Sequence, residues 1–119
     1  MTQEEKELLI KDLCARLPYG VKMSVNDNVE VLQGINIVDN IVEYSSFLAS
    51  EIEDCKPYLF PLSSMTEEQE KEYNNLNCYE LGCFPHSEEA LDYLTKNHFD
   101  YRYLIEKGLA IDATGKNIY

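Results

Sequence analysis

Basic residues are scarce in this chain. Ten lysines and arginines stand against 22 aspartates and glutamates, giving a formal charge of −12 and an isoelectric point near 4.4. Proteins that hold DNA, RNA or anionic lipid do so by displacing counterions from phosphate with Lys and Arg. A chain this acidic is repelled from all three, so direct nucleic-acid and membrane binding are set aside. Glycine is sparse too: Gly20, Gly34, Gly82, Gly108 and Gly115 are dispersed, mostly at turns or helix ends. No dinucleotide glycine pattern, Walker lysine motif or metalloprotease His pair occurs. The longest stretch without charge, residues 57–66, is far too short to span a bilayer. The opening Met1-Thr2-Gln3-Glu4-Glu5-Lys6 lacks a basic segment followed by a long apolar one. A cytoplasmic protein is the expectation.

What is present is an ordinary globular composition. Hydrophobic residues make up 45% of 119, enough for one core of normal size without disulfides or metals. A single domain over 1–119 is expected, with possible lobes at 1–62 and 63–119. The acidity is no tail: residues 1–60 and 61–119 each carry 11 acids and 5 bases. Its densest run, Glu67-Glu68-Gln69-Glu70-Lys71-Glu72, reads as the solvated face of a helix. A sharper reading makes the acidic surface a docking site for a basic partner, or an imitation of nucleic-acid phosphates.

Thr2 and Glu5 have the spacing of a capping box. Leu8, Leu9, Leu13 and Leu17, with Ile10 and Cys14 beside them, form an apolar stripe at helical spacing. Pro18-Tyr19-Gly20 ends this first helix. From Val21 the period changes to two, with tight turns at Asn26-Asp27-Asn28 and Asp39-Asn40. Strands are predicted over 21–25, 29–38 (bent or bulged at Gly34), 41–44 and 47–52, before Pro57 and Pro61 break the pattern. Such a meander suggests a small antiparallel sheet or an SH3-like open barrel. Thr66 and Gln69 repeat the capping-box spacing and start a polar helix to about Leu76. Ser87 is expected to cap a third helix, with Ala90, Leu91, Leu94 and His98 on one face. Asp100 is expected to cap a short helix to Lys107, stopped by Gly108. Leu109-Ala110-Ile111 reads as an edge strand. The fold class is α+β with a helical C-terminal lobe.

Chemistry-bearing constellations are few. Cys78, Cys83 and His86, with His98 a helix later, are weak zinc candidates of Cys2His2 composition. They lack a Cys-x2-Cys knuckle, and free thiols are the expectation. Cys14 and Cys55 read as small buried hydrophobes. A Cys83–His86 nucleophile–base pair is disfavoured by Glu80, Glu88 and Glu89, which would raise the thiol pKa. Carboxylate pairs are abundant and none stands out, so no catalytic residue and no cofactor is assigned. The most distinctive segment is Asn97-His98-Phe99-Asp100-Tyr101-Arg102-Tyr103, where aromatics and a rare cation cluster. Tyr101, Arg102 and Tyr103 are therefore candidate anchors for a protein partner.

Several stretches also carry a resemblance. Lys11 through Val21 (Lys-Asp-Leu-Cys-Ala-Arg-Leu-Pro-Tyr-Gly-Val), Lys56-Pro57-Tyr58-Leu59, Pro61 through Glu68, His98 through Arg102 and Gly108-Leu109-Ala110 resemble a family of short uncharacterised bacterial proteins. That family is common in gut-associated genomes, often near phage-like or mobile DNA. The resemblance spans nearly the whole chain and implies no activity, cofactor or catalytic residue. It favours a non-enzymatic protein–protein interaction module over an acidic decoy for a nucleic-acid-binding protein, or a small enzyme.

Overall fold

The computed structural model describes residues 1–76 and 88–119. The first helix, α1, runs Gln3–Arg16. Thr2 and Glu5 form a reciprocal capping box: the Thr2 hydroxyl accepts from the Glu5 N–H (3.1 Å), and the Glu5 carboxylate accepts from the Thr2 N–H (2.9 Å). A turn of 3-10 helix over Leu17–Tyr19 follows, and Gly20 at φ 65° reverses the chain. The left-handed conformation there suits a residue without Cβ.

Four strands come next: β1 (Lys22–Val25), β2 (Asn28–Asn36), β3 (Ile41–Tyr44) and β4 (Ala49–Glu51). They pair antiparallel in succession. The β1–β2 turn is the predicted one, with Asn26 and Asp27 both at positive φ (49° and 66°), as a two-residue hairpin turn requires. Gly34 marks the predicted irregularity, a register shift between Leu32 and Gly34. A Cβ at Gly34 would lie 3.1 Å from the Glu43 carboxylate.

Two strand expectations change. Ile37 and Val38 leave β2, because the Asn36 side-chain carbonyl captures the N–H groups of Val38 and Asp39 (3.1 Å each) and closes a turn of its own. Val38 is consequently 91% exposed. Pro57 and Pro61 do not end the sheet. They lie within β5 (Cys55–Pro61), which pairs antiparallel with β1 at Met23, Ser24 and Val25. A proline is tolerated at ladder positions that do not call on its N–H.

Beyond β5 lie the polar helix α2 (Glu67–Leu76) and α3 (Glu88–Lys96). Two short strands, β6 (Phe99–Asp100) and β7 (Ile111–Asp112), then pair parallel with β5. The sheet order is β4-β3-β2-β1-β5-β6, with β7 also on β5. The fold is α+β with an open sheet that the parallel β5–β6 and β5–β7 pairings make mixed, where a small antiparallel sheet or SH3-like open barrel was expected. The C-terminal half contributes strands as well as helices. The α2 capping box forms as expected: Thr66 N–H donates to Gln69 (2.9 Å) and Gln69 N–H to Thr66 (3.2 Å). The helix predicted over Asp100–Lys107 is instead a run of turns, because Tyr103 sits at φ 59°, outside the right-handed helical region.

The core gathers Leu9 and Leu13 of α1, alternate residues of β1 (Met23, Val25), Val42 and Tyr44 of β3, Leu59 of β5, and Leu104 and Leu109. Each large aliphatic side chain buried in this way stabilises the fold by about 1.5–3 kcal/mol. The predicted stripe of α1 meets the core, with Leu9 and Leu13 buried and Leu8, Ile10 and Leu17 packed against it; the helix also buries Asp12 and Arg16, while Cys14, expected to be buried, faces solvent. No described helix is long and apolar enough to cross a membrane.

Candidate functional site

The segment 98–103 turns largely inward. Arg16, one α1 turn after Asp12, donates Nε–H to Asp12 Oδ2 (2.7 Å) and Nη2–H to the Phe99 carbonyl (2.6 Å). Arg102 approaches the other carboxylate oxygen, Nε to Asp12 Oδ1 at 3.2 Å. Both side chains of the Asp12–Arg16 pair are fully buried. Tyr101 lies beside the two guanidinium groups, whose carbons are 5.3 Å (Arg16) and 4.9 Å (Arg102) from its ring centroid. Its hydroxyl is 3.2 Å from that of Thr95 in α3. Two of the chain's few cations thus tie α1, β6 and α3 together. The sequence candidates Tyr101 and Arg102 are half-buried in this network, and Tyr103 is 61% exposed.

Asp100 is a buried turn cap. Its carboxylate accepts the N–H groups of Arg102 (3.2 Å), Leu104 (3.1 Å) and Ile105 (3.0 Å). These bonds position Leu104 in the core. Asp100→Ala is expected to cost about 1–2 kcal/mol, in the range of lost caps, measured as a lower urea midpoint at unchanged m-value.

His98 occupies the left-handed region (φ 64°) and stacks on Tyr119, ring centroids 3.8 Å apart and planes 10° from parallel. The Tyr119 hydroxyl donates to the Tyr58 carbonyl and accepts from the Lys22 N–H, both at 2.8 Å. It therefore bridges β5 and β1. Burial, followed by the charges of Arg16 and Lys22, pushes the imidazole pKa down to about 4. Its buried Nδ1 has no hydrogen-bond partner, and Arg16 Nη1 is the other such atom among the described residues.

Of the four zinc candidates, Cys78, Cys83 and His86 lie outside the described residues, while His98 takes part in the stack. Among the described residues no group of three or more His, Cys, Asp and Glu could hold a metal ion. Cys55 is buried as expected. Burial raises its thiol pKa, and burial likewise raises that of Tyr44, whose hydroxyl lies 2.7 Å from Ser50 Oγ. Neither group is poised as a nucleophile.

Among the described residues, the most exposed aromatic side chain lies elsewhere. Residues 45–48 join β3 to β4, and the turn is closed by Phe47 N–H to the Tyr44 carbonyl and Tyr44 N–H to the Leu48 carbonyl, each 3.0 Å, with Ser45, Ser46 and Phe47 between the paired ends. The third position of such a loop takes a left-handed residue, usually glycine. Here it is Phe47, at φ 70° and 95% exposed, followed by Leu48 at 57%. A cleft of about 230 Å³ beside them is lined by Gln33, Glu43, Tyr44, Phe47, Leu48 and Ala49. Sequence reading placed Phe47 at the start of a strand; the serine pair before it was the available signal for a loop.

No family model matches the chain, and neither the curated proteins nor the solved structures contain a match.

Proposed function

We propose that the protein is a non-enzymatic protein–protein interaction module, of the bacterial, mobile-element-associated kind that its sequence resembles, and that it binds through the β3–β4 hairpin. The observation that carries this reading is Phe47. A large aromatic side chain is held in water at 95% exposure on a backbone conformation that disfavours it. Left-handed backbone costs a non-glycine residue about 1–2 kcal/mol, and exposing the ring gains nothing in the free chain. Strain of this kind concentrates at functional sites, and buried aromatics dominate interface energetics.

The reading makes stability and binding move in opposite directions. Phe47→Gly is expected to stabilise the free protein by about 1 kcal/mol, because relief of the strain outweighs the larger unfolded-state entropy of glycine. The same variant is expected to weaken capture of a partner from native lysate at least tenfold. Thermal melts and quantitative pull-down check the two halves; undiminished capture by Phe47→Gly would remove the hairpin as the contact.

A second reading, the acidic decoy, rests on α2. This helix buries no side chain and begins with Glu67, Glu68 and Glu70. Such a decoy would compete with DNA for its target and be indifferent to Phe47→Gly, whereas the hairpin contact would be lost with that variant.

A further inference from the structure

We infer that the open edge of β4 receives an extended, lysine- or arginine-bearing segment of a partner protein as an added strand, with Phe47 and Leu48 as its apolar stop. This deepens the interaction reading above and rests on it. Among the described residues β4 is the last strand of the sheet on its side. On its inner edge, the Leu48 carbonyl accepts from Tyr44 and the Ile52 N–H donates to the Asn40 carbonyl (3.0 Å each), while Ser50 pairs with Val42. Backbone groups alternate direction along a strand in an antiparallel ladder, so those of Ala49 and Glu51 turn to the open edge. Both residues are exposed. The Glu51 carbonyl there already accepts from the Ser50 hydroxyl at 3.2 Å, leaving the Ala49 groups and the Glu51 N–H as the main points of attachment.

Charge chooses among the possible occupants. Short length and charge are among the ways natural edges limit indiscriminate pairing; β4 is three residues long, carries no lysine or proline and presents Glu51, with Glu43 directly across from Ala49. A second copy of this chain would bring like carboxylates together and add another −12 charge. A cationic strand meets complementary charge instead. One lysine stem fits the cleft of about 230 Å³ beside Phe47, with its methylenes on the ring and its ammonium toward Glu43. Main-chain hydrogen bonds then supply affinity and alternate side chains supply selection, as in strand addition generally.

The probe is an N-acetylated, C-amidated peptide of roughly eight residues alternating Lys and Val, long enough to pair along the edge, titrated into isotope-labelled protein. Amide shifts are expected at residues 47–51, with exchange at Ala49 and Glu51 slowed at least tenfold. Kd is expected to rise at least tenfold between about 0.05 and 0.5 M NaCl. Ala49→Pro, which removes an outward N–H, is expected to weaken binding at least tenfold while the melting temperature holds. Should that variant fold poorly, Glu43→Lys with Glu51→Lys is the alternative: it is expected to switch preference to a Glu-Val peptide. Unmoved edge amides, equal binding of both peptides by the wild type, or wild-type affinity in a folded Ala49→Pro would each overturn the inference. Lysate capture that depends on Phe47 but not on Ala49→Pro would overturn strand addition and leave the interaction module standing. Capture indifferent to both would remove both.

Discussion

Asp12→Ala is expected to destabilise the protein by about 3–5 kcal/mol, the range for removing one partner of a buried ion pair. The magnitude follows from what stays behind. Arg16 is fully buried beside Asp12, and its Nη1 already lacks a partner. Without the carboxylate, Nε–H loses its acceptor as well, and the remaining bond to the Phe99 carbonyl cannot compensate a desolvated charge. Arg102 responds differently. Its side chain is 21% exposed, so water takes over when its contact with Asp12 is lost, and Arg102→Gln is expected to cost only about 1 kcal/mol. Urea unfolding of the two variants checks the asymmetry. Equal, small losses would show that the cluster is not the fastening between α1 and the β6 region described above.

The second large effect is on acid stability. The His98 pKa lies near 4 in the folded protein, against an ordinary value of 6.5. Between those pH values the unfolded chain binds the imidazole proton and the folded one does not, so stability falls as pH drops through this window. Above 6.5 this group contributes no pH dependence. Each pKa unit corresponds to about 1.4 kcal/mol; with allowance for solvent screening of a partly exposed ring, about 2–3 kcal/mol is expected to be lost by pH 4. His98→Asn tolerates the left-handed backbone and removes the titration. The difference in unfolding free energy between wild type and variant, measured from pH 7.5 to 4, is expected to slope across the window. Carboxylates common to both proteins cancel in that difference. A flat difference would mean that His98 can be charged in the folded state at no cost.

Local structure was legible wherever a side chain acts on its own backbone neighbours. The Thr2 and Thr66 caps, the Asn26-Asp27 turn and the bulge at Gly34 all depend on interactions within a few residues. The errors arose where local preferences competed or a distant partner intervened. Asn36 took the N–H groups of Val38 and Asp39 away from an otherwise apolar, strand-like run. Pro57 and Pro61 sit in a strand because their neighbours supply the pairing, with Phe60 N–H donating to the His98 carbonyl at 2.8 Å. The candidate site was half legible. Composition singled out residues 98–103, yet which side of that segment faces solvent depended on Asp12, some 90 positions away.

By itself, the sequence determined that this is an acidic α+β chain with one capped amphipathic helix, a meander of hairpins and no motif for phosphate, dinucleotide or metalloprotease chemistry. These follow from charge, periodicity and short-range hydrogen bonding, which need no knowledge of the rest of the molecule. Only the tertiary structure decided that α1 buries an Asp–Arg pair, that Tyr101 and Arg102 pack half-buried against it, and that Phe47 and the β4 edge face outward. Those outcomes depend on which groups become neighbours once the chain is folded: desolvation drives buried charges to find partners, and among the described residues the sheet ends at β4, whose outer edge is left unpaired.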